Sequence, residues 1–402
     1  MHKSSGPKSY WNRILMLSLL LLWGIILLIM NNKFLFAHYL RGGAALCVLF
    51  SHYTASFFIS NDFISSVLNI PKAKNLSFPR IILDFIPVEF PGFLSIFGVA
   101  TFFLISGFLI PISIEKYTVT TFLKKRFFRL YPTYFIVCII NLFFVFLGFC
   151  IFHYSGKDYH YGLDKILSIF SMGLSQYVKD TISMDPVAWT LAIEVLFYLS
   201  TLFFFRISFL FRRKEKISLS DVLLLSLILS VSVAWLSHHI DKVSVFLKVI
   251  NVGFLIKAIY LTTFMLVGTT FSLYARGRID IKRLVFAVIL QFYMFVYITM
   301  HLAGPAFYIS TVTTFSWFGL AIVVFAFLYA INDKISYNKS LKLLGDISYP
   351  LYLCHSYAGY FIIGMMINLN ILPRSLVVFM PLPFVLILAY FIHAKVENKF
   401  VS

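Results

Sequence analysis

The sequence predicts an all-α polytopic membrane protein with a ten-helix core bundle and one additional N-terminal helix. Of its 402 residues, 60% are hydrophobic and only 12% are charged, whereas a soluble domain keeps about a quarter of its residues charged. The mean hydropathy is +0.89. The apolar residues are grouped in runs of about 20, the length at which a helix crosses a bilayer. Lipid is therefore the expected solvent for most of the exterior.

Eleven apolar runs are candidates for membrane-spanning helices. They cover residues 14–30, 39–59, 93–114, 131–152, 187–209, 219–237, 258–275, 284–301, 309–331, 345–367 and 375–394. No soluble domain fits between them, so the chain divides into an N-terminal segment, residues 1–33, and one membrane domain, residues 34–402. The four cysteines lie inside apolar runs without metal-binding spacing, and we expect no metal.

Positive charge alternates between the gaps that separate these runs. The segments 115–130, 206–221, 276–283, 332–342 and 395–402 together contain 19 Lys and Arg residues. The segments 60–92, 153–186, 238–257, 302–308 and 368–374 contain only 10, although they are longer in total. Because Lys and Arg are retained on the cytoplasmic side of membranes, the first set is predicted to be cytoplasmic. This assignment explains the net charge of +18 without nucleic acid as a partner.

The first run, residues 14–30, does not follow this alternation. The charge pattern of the later segments would leave Lys3, Lys8 and Arg13 on the outer side, against the usual rule. The run is either an eleventh helix inserted against its charges or a helix at the membrane interface, and we favour the span.

Few ionisable side chains fall inside the predicted spans, where they are costly and commonly functional. Arg41 and His52 share the second run, Glu194 lies in the fifth and His355 in the tenth. The 11-residue separation of Arg41 and His52 places both on one helix face, about 16 Å apart. The sequence thus predicts one groove with a cation near the cytoplasmic surface and an imidazole half-way into the membrane.

The densest basic cluster runs from Lys124 to Arg129 and is followed by Pro132. It can be a topology anchor, or it can bind an anion. Arg126 and Arg129 are three residues apart and would point the same way on a helix, and arginine binds phosphate with two parallel hydrogen bonds.

Five segments, in order along the chain, resemble the acyltransferase family 3 membrane proteins, which move acyl groups onto surface carbohydrates and some other acceptors. The segments are Arg41-Gly42-Gly43-Ala44-Ala45 through His52, Gly98 through Ile110, Phe122 through Pro132, Trp189 through Leu199, and Ile347 through His355. One departure is Val195, which stands where the family pattern has a second glutamate. Five ordered matches from residue 41 onwards make the resemblance specific.

This resemblance implies an acyl-CoA donor, most often acetyl-CoA, and a hydroxyl acceptor on a carbohydrate or lipid-linked glycan beyond a bacterial inner membrane. Membrane lipids are the other expected partners. The expected donor-binding residues are Arg41, Lys125, Arg126, Arg129 and His355, and the expected catalytic residues are His52 and Glu194. His52 would take a proton from the attacking hydroxyl, or would itself carry the acyl group.

Two other classes of protein also carry ionisable residues inside the membrane. A transporter or flippase for a glycan or a small anion is the first alternative, but transporters tend to contain internal repeats, and the sequence shows none. An inert scaffold is the second alternative, and it would tolerate the loss of His52.

Overall fold

The computed structural model describes residues 34–73, 90–152, 162–181, 185–213, 215–301, 314–370 and 372–401. The predicted helix at 14–30, and with it the division of the chain at residue 33, lies outside the described residues. These residues form helices joined by short loops, and no strand occurs among them apart from one isolated bridge between Val178 and Ile250.

Ten apolar helices match the ten runs of the predicted core. They are α1 Leu35–Ile59, α2 Phe90–Lys116, α3 Val119–Phe152, α4 Trp189–Arg212, α5 Leu219–His238, α6 Val252–Ala275, α7 Ile281–His301, α8 Phe315–Ala330, α9 Ser348–Asn368 and α10 Pro381–Ile392. Within the described part of the chain, α8 and α10 are the two of these ten that are shorter than a full span by themselves, and α10 reaches span length together with the turns that flank it. The prediction of an all-α polytopic membrane protein is confirmed.

Shorter helices lie at the ends of the bundle. They are Asn61–Leu68, Leu163–Ile169, Ile240–Phe246, Lys339–Asp346 and Arg374–Val377. Beyond α10, a π-helical turn at His393–Glu397 leads into Asn398–Val401.

Segments with many positive charges meet at one end of the bundle. Glu115, at the end of α2, accepts hydrogen bonds from Arg276 at 2.7 Å and from Arg278 at 2.5 Å. The same carboxylate accepts the backbone N–H of Ile217 at 2.8 Å. The segments after α2, α4 and α6 therefore share one face, in agreement with their predicted grouping on the cytoplasmic side.

Segments with few positive charges meet at the opposite end. The backbone N–H of Asn251 donates to the carbonyl of Tyr177 at 2.8 Å, which joins the segments before α6 and before α4. The side chain of Asn368 donates to the carbonyl of Pro71 at 3.0 Å, which joins the end of α9 to the segment after α1. The fold thus separates the two sets of segments as the charge count predicted.

The centre of the bundle is formed by α1, α2, α6 and α9, the helices with the largest buried share. Helices α2 and α6 cross closely because glycines meet there: a Cβ atom on Gly107 would clash with the carbonyl oxygen of Met265, and one on Gly268 would clash with that of Leu104. Small residues are the usual means of close helix contact in membranes. This crossing therefore holds α2 and α6 in close contact at the centre of the bundle.

The outer helices present apolar stripes where lipid is expected. On α3, Phe143, Phe146 and Phe149 are three residues apart and are all more than half exposed. In a water-soluble protein such a surface would aggregate, whereas in a bilayer it is simply the lipid contact.

Helix α3 begins earlier than the sequence predicted. Its 34 residues start at Val119, so the basic cluster from Lys124 to Arg129 is helical, as the predicted alignment of Arg126 and Arg129 required. At 1.5 Å per residue the helix is about 51 Å long and extends beyond the hydrocarbon layer. Pro132 is accommodated within it, as prolines often are in membrane helices. The first turns of α3 therefore carry their arginines alongside the bundle.

Candidate functional site

A cavity with about 720 Å³ of empty space, partly open to solvent, lies towards the helix ends that are predicted to be cytoplasmic. Three arginines line it: Arg41 from α1, and Arg126 and Arg129 from the first turns of α3. Glu194 from α4 is the carboxylate among the lining residues. Three guanidinium groups against one carboxylate leave this space, the arginine cavity, with an excess of positive charge.

The arginines of this cavity are poorly neutralised by the protein itself. Among the described residues, neither Arg41 nor Arg129 has a carboxylate within 4.0 Å. Arg126 donates to the hydroxyl of Ser113 at 2.6 Å and lies over the rings of Phe122 and Tyr198. Its buried Nε has no hydrogen-bond partner in the described part of the chain. Cations held this way are prepared for an anionic ligand.

Glu194 is fixed by hydrogen bonds to one of its two oxygens. Ser106 of α2 donates to Oε1 at 2.7 Å, and the hydroxyl of Tyr198 donates to the same oxygen. No described residue donates to Oε2. The carboxylate thus has a defined orientation within the arginine cavity.

A second cavity, with about 710 Å³ of empty space, lies towards the opposite ends of the helices. It is lined by Val48, His52, Ser95, Ile96, Val99, Pro186, Val187, Trp189, Lys257, Leu261, Phe318 and Tyr352. We call it the histidine cavity after His52. Ser95, Trp189 and Lys257 come from the first two turns of α2, α4 and α6, and these turns belong to the face predicted to be extracytoplasmic.

The two cavities adjoin each other. Val99 of α2 and Tyr352 of α9 line both of them. The hydroxyl of Tyr352 is held by Thr190 at 2.9 Å, which fixes this part of the shared wall. The groove that the sequence predicted along α1 thus corresponds to two adjoining cavities with a shared partition at Val99 and Tyr352.

His52 lies where α1 changes its helical geometry. A single π-helical turn, His52–Ser56, is inserted after the regular helix Leu35–Ser51. Such turns are rare in proteins, and those that occur are frequently located at functional sites. Because the helix is regular up to Ser51, Arg41 and His52 keep one face of α1, and their separation of about 16 Å along its axis places Arg41 in the first cavity and His52 in the second.

His52 is hydrogen-bonded to a second histidine. Nδ1 of His52 and Nε2 of His355 are 2.9 Å apart. His355, on α9, is fully buried, and its Nδ1 lies 2.9 Å from the carbonyl oxygen of Tyr352 and 3.1 Å from that of Leu351. Tyr53 donates to the backbone carbonyl of His355 at 2.9 Å. The pair is therefore anchored to the backbone of α9.

This arrangement determines the tautomers of the two neutral rings. A carbonyl oxygen can only accept, so Nδ1 of His355 carries the proton and its Nε2 is an acceptor. Nδ1 of His52 must then be the donor of the bond between the rings. The remaining nitrogen of His52, Nε2, keeps its lone pair and can accept a proton. Orientation of a histidine base by a partner on its other nitrogen is the logic of a catalytic triad.

Asp185 supports the wall of the histidine cavity from outside the spans. Its carboxylate accepts the backbone N–H of Val187 at 2.9 Å, next to the lining residue Pro186. Burial raises the pKa of Asp185 to about 6, and the hydrogen bonds from backbone N–H groups oppose this rise. The segment before α4 is thus held in place by a carboxylate.

The predicted site residues fall into three groups. Arg41, Arg126, Arg129 and Glu194 share the arginine cavity, whereas His52 and His355 form the hydrogen-bonded pair. Lys125 is the third group and lies apart from the other two. Its ammonium group is 5.3 Å from the centre of the Tyr117 ring, and its side chain lines neither cavity.

Sequence reasoning missed two lining residues of the histidine cavity. Lys257 was counted among the charges of an outer segment, and Trp189 was noted only as the beginning of a motif. In the structure the ammonium group of Lys257 lies 4.0 Å from the centre of the Trp189 ring. The available signal was a single lysine directly before a long apolar run.

The fold and the two adjoining cavities define a polytopic membrane protein with a candidate site enclosed among its helices. The family model described as an acyltransferase domain matches residues 34–394, nearly the whole chain. The chain therefore belongs to acyltransferase family 3 and is a membrane acyltransferase, as the resemblance implied. No curated protein and no solved structure gave a match.

Proposed function

We propose that the protein transfers an acetyl group from cytoplasmic acetyl-CoA to a hydroxyl of an extracytoplasmic carbohydrate, such as a surface polysaccharide, in a bacterial inner membrane. The observation that carries this proposal is the contact between the arginine cavity and the histidine cavity at Val99 and Tyr352. A donor entering from one face and an acceptor entering from the other would meet at this partition.

The arginine cavity suits the donor. Coenzyme A carries several phosphates, and Arg41, Arg126 and Arg129 offer guanidinium groups without a competing ion pair among the described residues. The donor is made in the cytoplasm, and the arginines come from helix ends on the predicted cytoplasmic side. His52 lies about 16 Å further along α1, so an extended pantetheine arm would bring the thioester towards it.

The histidine pair suits the chemistry of transfer. Nε2 of His52 takes the proton of the acceptor hydroxyl as its oxygen attacks the carbonyl carbon of the thioester. The new C–O bond forms and the C–S bond breaks, and the departing sulfur of coenzyme A receives the proton from His52. An alternative route places the acetyl group first on Nε2 of His52 and then on the acceptor.

The geometry favours new roles for two of the predicted site residues. His355, expected to bind the donor, touches His52, and we assign it the positioning of that ring. Glu194, expected to be catalytic, lies among the arginines, and we assign it the orientation and partial neutralisation of the donor cavity.

Comparison of cell envelopes with and without the protein tests the function. Mass spectrometry of the glycans from a deletion strain and its complemented partner should show acetyl esters only in the latter. Purified protein should release free coenzyme A from acetyl-CoA when the acceptor is present. Movement of a substrate across vesicles without consumption of acetyl-CoA would instead identify a transporter.

Loss of a single cavity arginine should weaken donor binding. Arg126→Ala and Arg129→Ala each remove a charge-assisted contact, worth about 1.5–3 kcal/mol, and titration calorimetry with coenzyme A should show Kd raised roughly 10- to 150-fold. The effect should be larger at low salt, where partly exposed charges are less screened.

Lys125→Ala is the matched control for these arginine variants. It removes a positive charge from the same helical turn, but its side chain lies over Tyr117 and outside the cavity. Its Kd for coenzyme A should stay within about threefold of wild type, the range of a weak surface charge effect. Equal losses in all three variants would mean that only the general charge of this surface attracts the donor.

A further inference from the structure

The histidine cavity contains a cation that the proposed transfer does not use. Lys257 lies in the second turn of α6, is partly buried and lines the cavity together with His52. Its contact within the described residues is the face of Trp189, 4.0 Å from Nζ to the ring centre. No described carboxylate lies within 4.0 Å of its ammonium group.

A lysine without a counter-charge is costly in a membrane helix. The aromatic face recovers part of this cost, but it does not neutralise the charge. A lysine that merely extends to the aqueous surface, as Lys248 does in the segment before α6, is exposed. Lys257 instead faces a cavity whose other lining residues are mostly apolar. Its charge is therefore available to a molecule that enters this cavity.

The donor does not require this charge. Its phosphates are provided for by the arginine cavity, on the other side of Val99 and Tyr352. The molecule that meets Lys257 is then the one that presents its hydroxyl to His52. The ring of Trp189 offers an apolar surface on which a sugar ring could pack beside the charged group.

We infer that the acceptor is anionic, with a carboxylate or phosphate that pairs with Lys257 while a neighbouring hydroxyl approaches Nε2 of His52. This inference rests on the proposed acetyl transfer and adds the class of its acceptor. Lys257 is in this view a specificity-determining residue, because it distinguishes an anionic sugar from a neutral one of the same shape.

Three matched sugars test the inference. Methyl β-D-glucuronide, methyl β-D-glucoside and methyl β-D-glucoside 6-phosphate share one ring and differ in charge at one carbon. They are offered to the purified wild-type protein with acetyl-CoA, and acetyl esters are quantified by mass spectrometry. We expect kcat/KM to be about 10- to 150-fold higher for at least one of the two anions than for the neutral glucoside, the range of a charge-assisted contact. A preference for the glucuronide would indicate a carboxylate, and one for the 6-phosphate would indicate a phosphorylated or lipid-linked acceptor.

Variants of the lysine separate charge recognition from structure. Lys257→Met keeps the length of the side chain without its charge and should remove the preference by raising KM for the anions alone. Lys257→Arg should retain most of the preference, and Lys248→Met, at the exposed control position, should retain all of it.

Two results would overturn the inference. One is an equal kcat/KM of the wild-type protein for the three sugars, or no acetylation of any of them. The other is a loss in Lys257→Met that affects neutral and anionic acceptors equally. Release of free coenzyme A in the same samples tests the proposed function separately. Release without a preference for the anionic sugars would exclude only the anionic acceptor. No release under any condition would exclude both the anionic acceptor and the proposed acetyl transfer.

Discussion

Replacement of His52 by glutamine should reduce acetyl transfer by about 10²- to 10⁴-fold, the contribution of a general base at the reacting centre. A glutamine amide can still donate a hydrogen bond to Nε2 of His355, so the contact between α1 and α9 is preserved. It cannot accept a proton as the free Nε2 of His52 does. The initial rate of coenzyme A release in the presence of acceptor is the measurement.

Donor binding provides the control for this variant. Arg41 lies about three helical turns from His52 on α1, and Arg126 and Arg129 line the same cavity as Arg41, so the Kd for coenzyme A should stay within a few-fold of wild type. A transfer rate close to wild type in His52→Gln would exclude proton transfer at this residue. If intact-mass analysis finds an acetyl group on His52 after incubation with acetyl-CoA alone, direct transfer would give way to the covalent route.

The helices could be predicted from the sequence because the bilayer imposes a simple rule. Every backbone polar group in the hydrocarbon must be satisfied within the segment, so apolar length alone locates the spans. The period of the helix likewise placed Arg41 and His52 on one element with the correct spacing. The beginning of α3 at Val119 was missed, because a charged helix that emerges from the membrane has no hydropathy signal.

The division into two cavities could not be predicted in the same way. It depends on how side chains of different helices meet, such as Val99 of α2 and Tyr352 of α9, which line both cavities. It also depends on how closely the helices approach each other. On α9, for example, Gly359 leaves the space that the ring of Tyr53 occupies. Such contacts are determined by the packing of whole helices and are not encoded in any short segment.

The pairing of His52 with His355 illustrates the same limit. The two residues are 303 positions apart, and each lies in a segment that matched the family pattern separately. Nothing in either segment indicates that the two rings touch. The sequence therefore identified both histidines as site residues but predicted that His355 binds the donor. An ionisable residue in a span indicates a functional site, but it does not indicate which residue its side chain contacts.

Replacement of His355 by leucine should lower kcat by about 10²- to 10⁴-fold with little change in the KM for acetyl-CoA. Leucine fills a similar volume but removes the acceptor of the hydrogen bond from Nδ1 of His52. The ring of His52 can then carry its proton on Nε2, where it no longer accepts one from the acceptor hydroxyl. In the comparable Ser-His-Asp arrangement, the wrong histidine tautomer costs about 10⁴ in kcat.

The conservative variant His355→Gln distinguishes this role from simple packing. Its side-chain carbonyl can accept a hydrogen bond from Nδ1–H of His52, so its kcat should be at least tenfold above that of His355→Leu, although both variants disturb the same fully buried position. NMR of ¹⁵N-labelled histidines should show Nδ1 protonated in His52 of the wild type and of His355→Gln, and mixed tautomers in His355→Leu. Equal kcat losses in the two variants, with an unchanged His52 tautomer, would reduce His355 to a packing residue. The selective rescue by glutamine is expected because the acceptor atom, and not the imidazole itself, keeps the lone pair of His52 directed into the cavity where the hydroxyl would arrive.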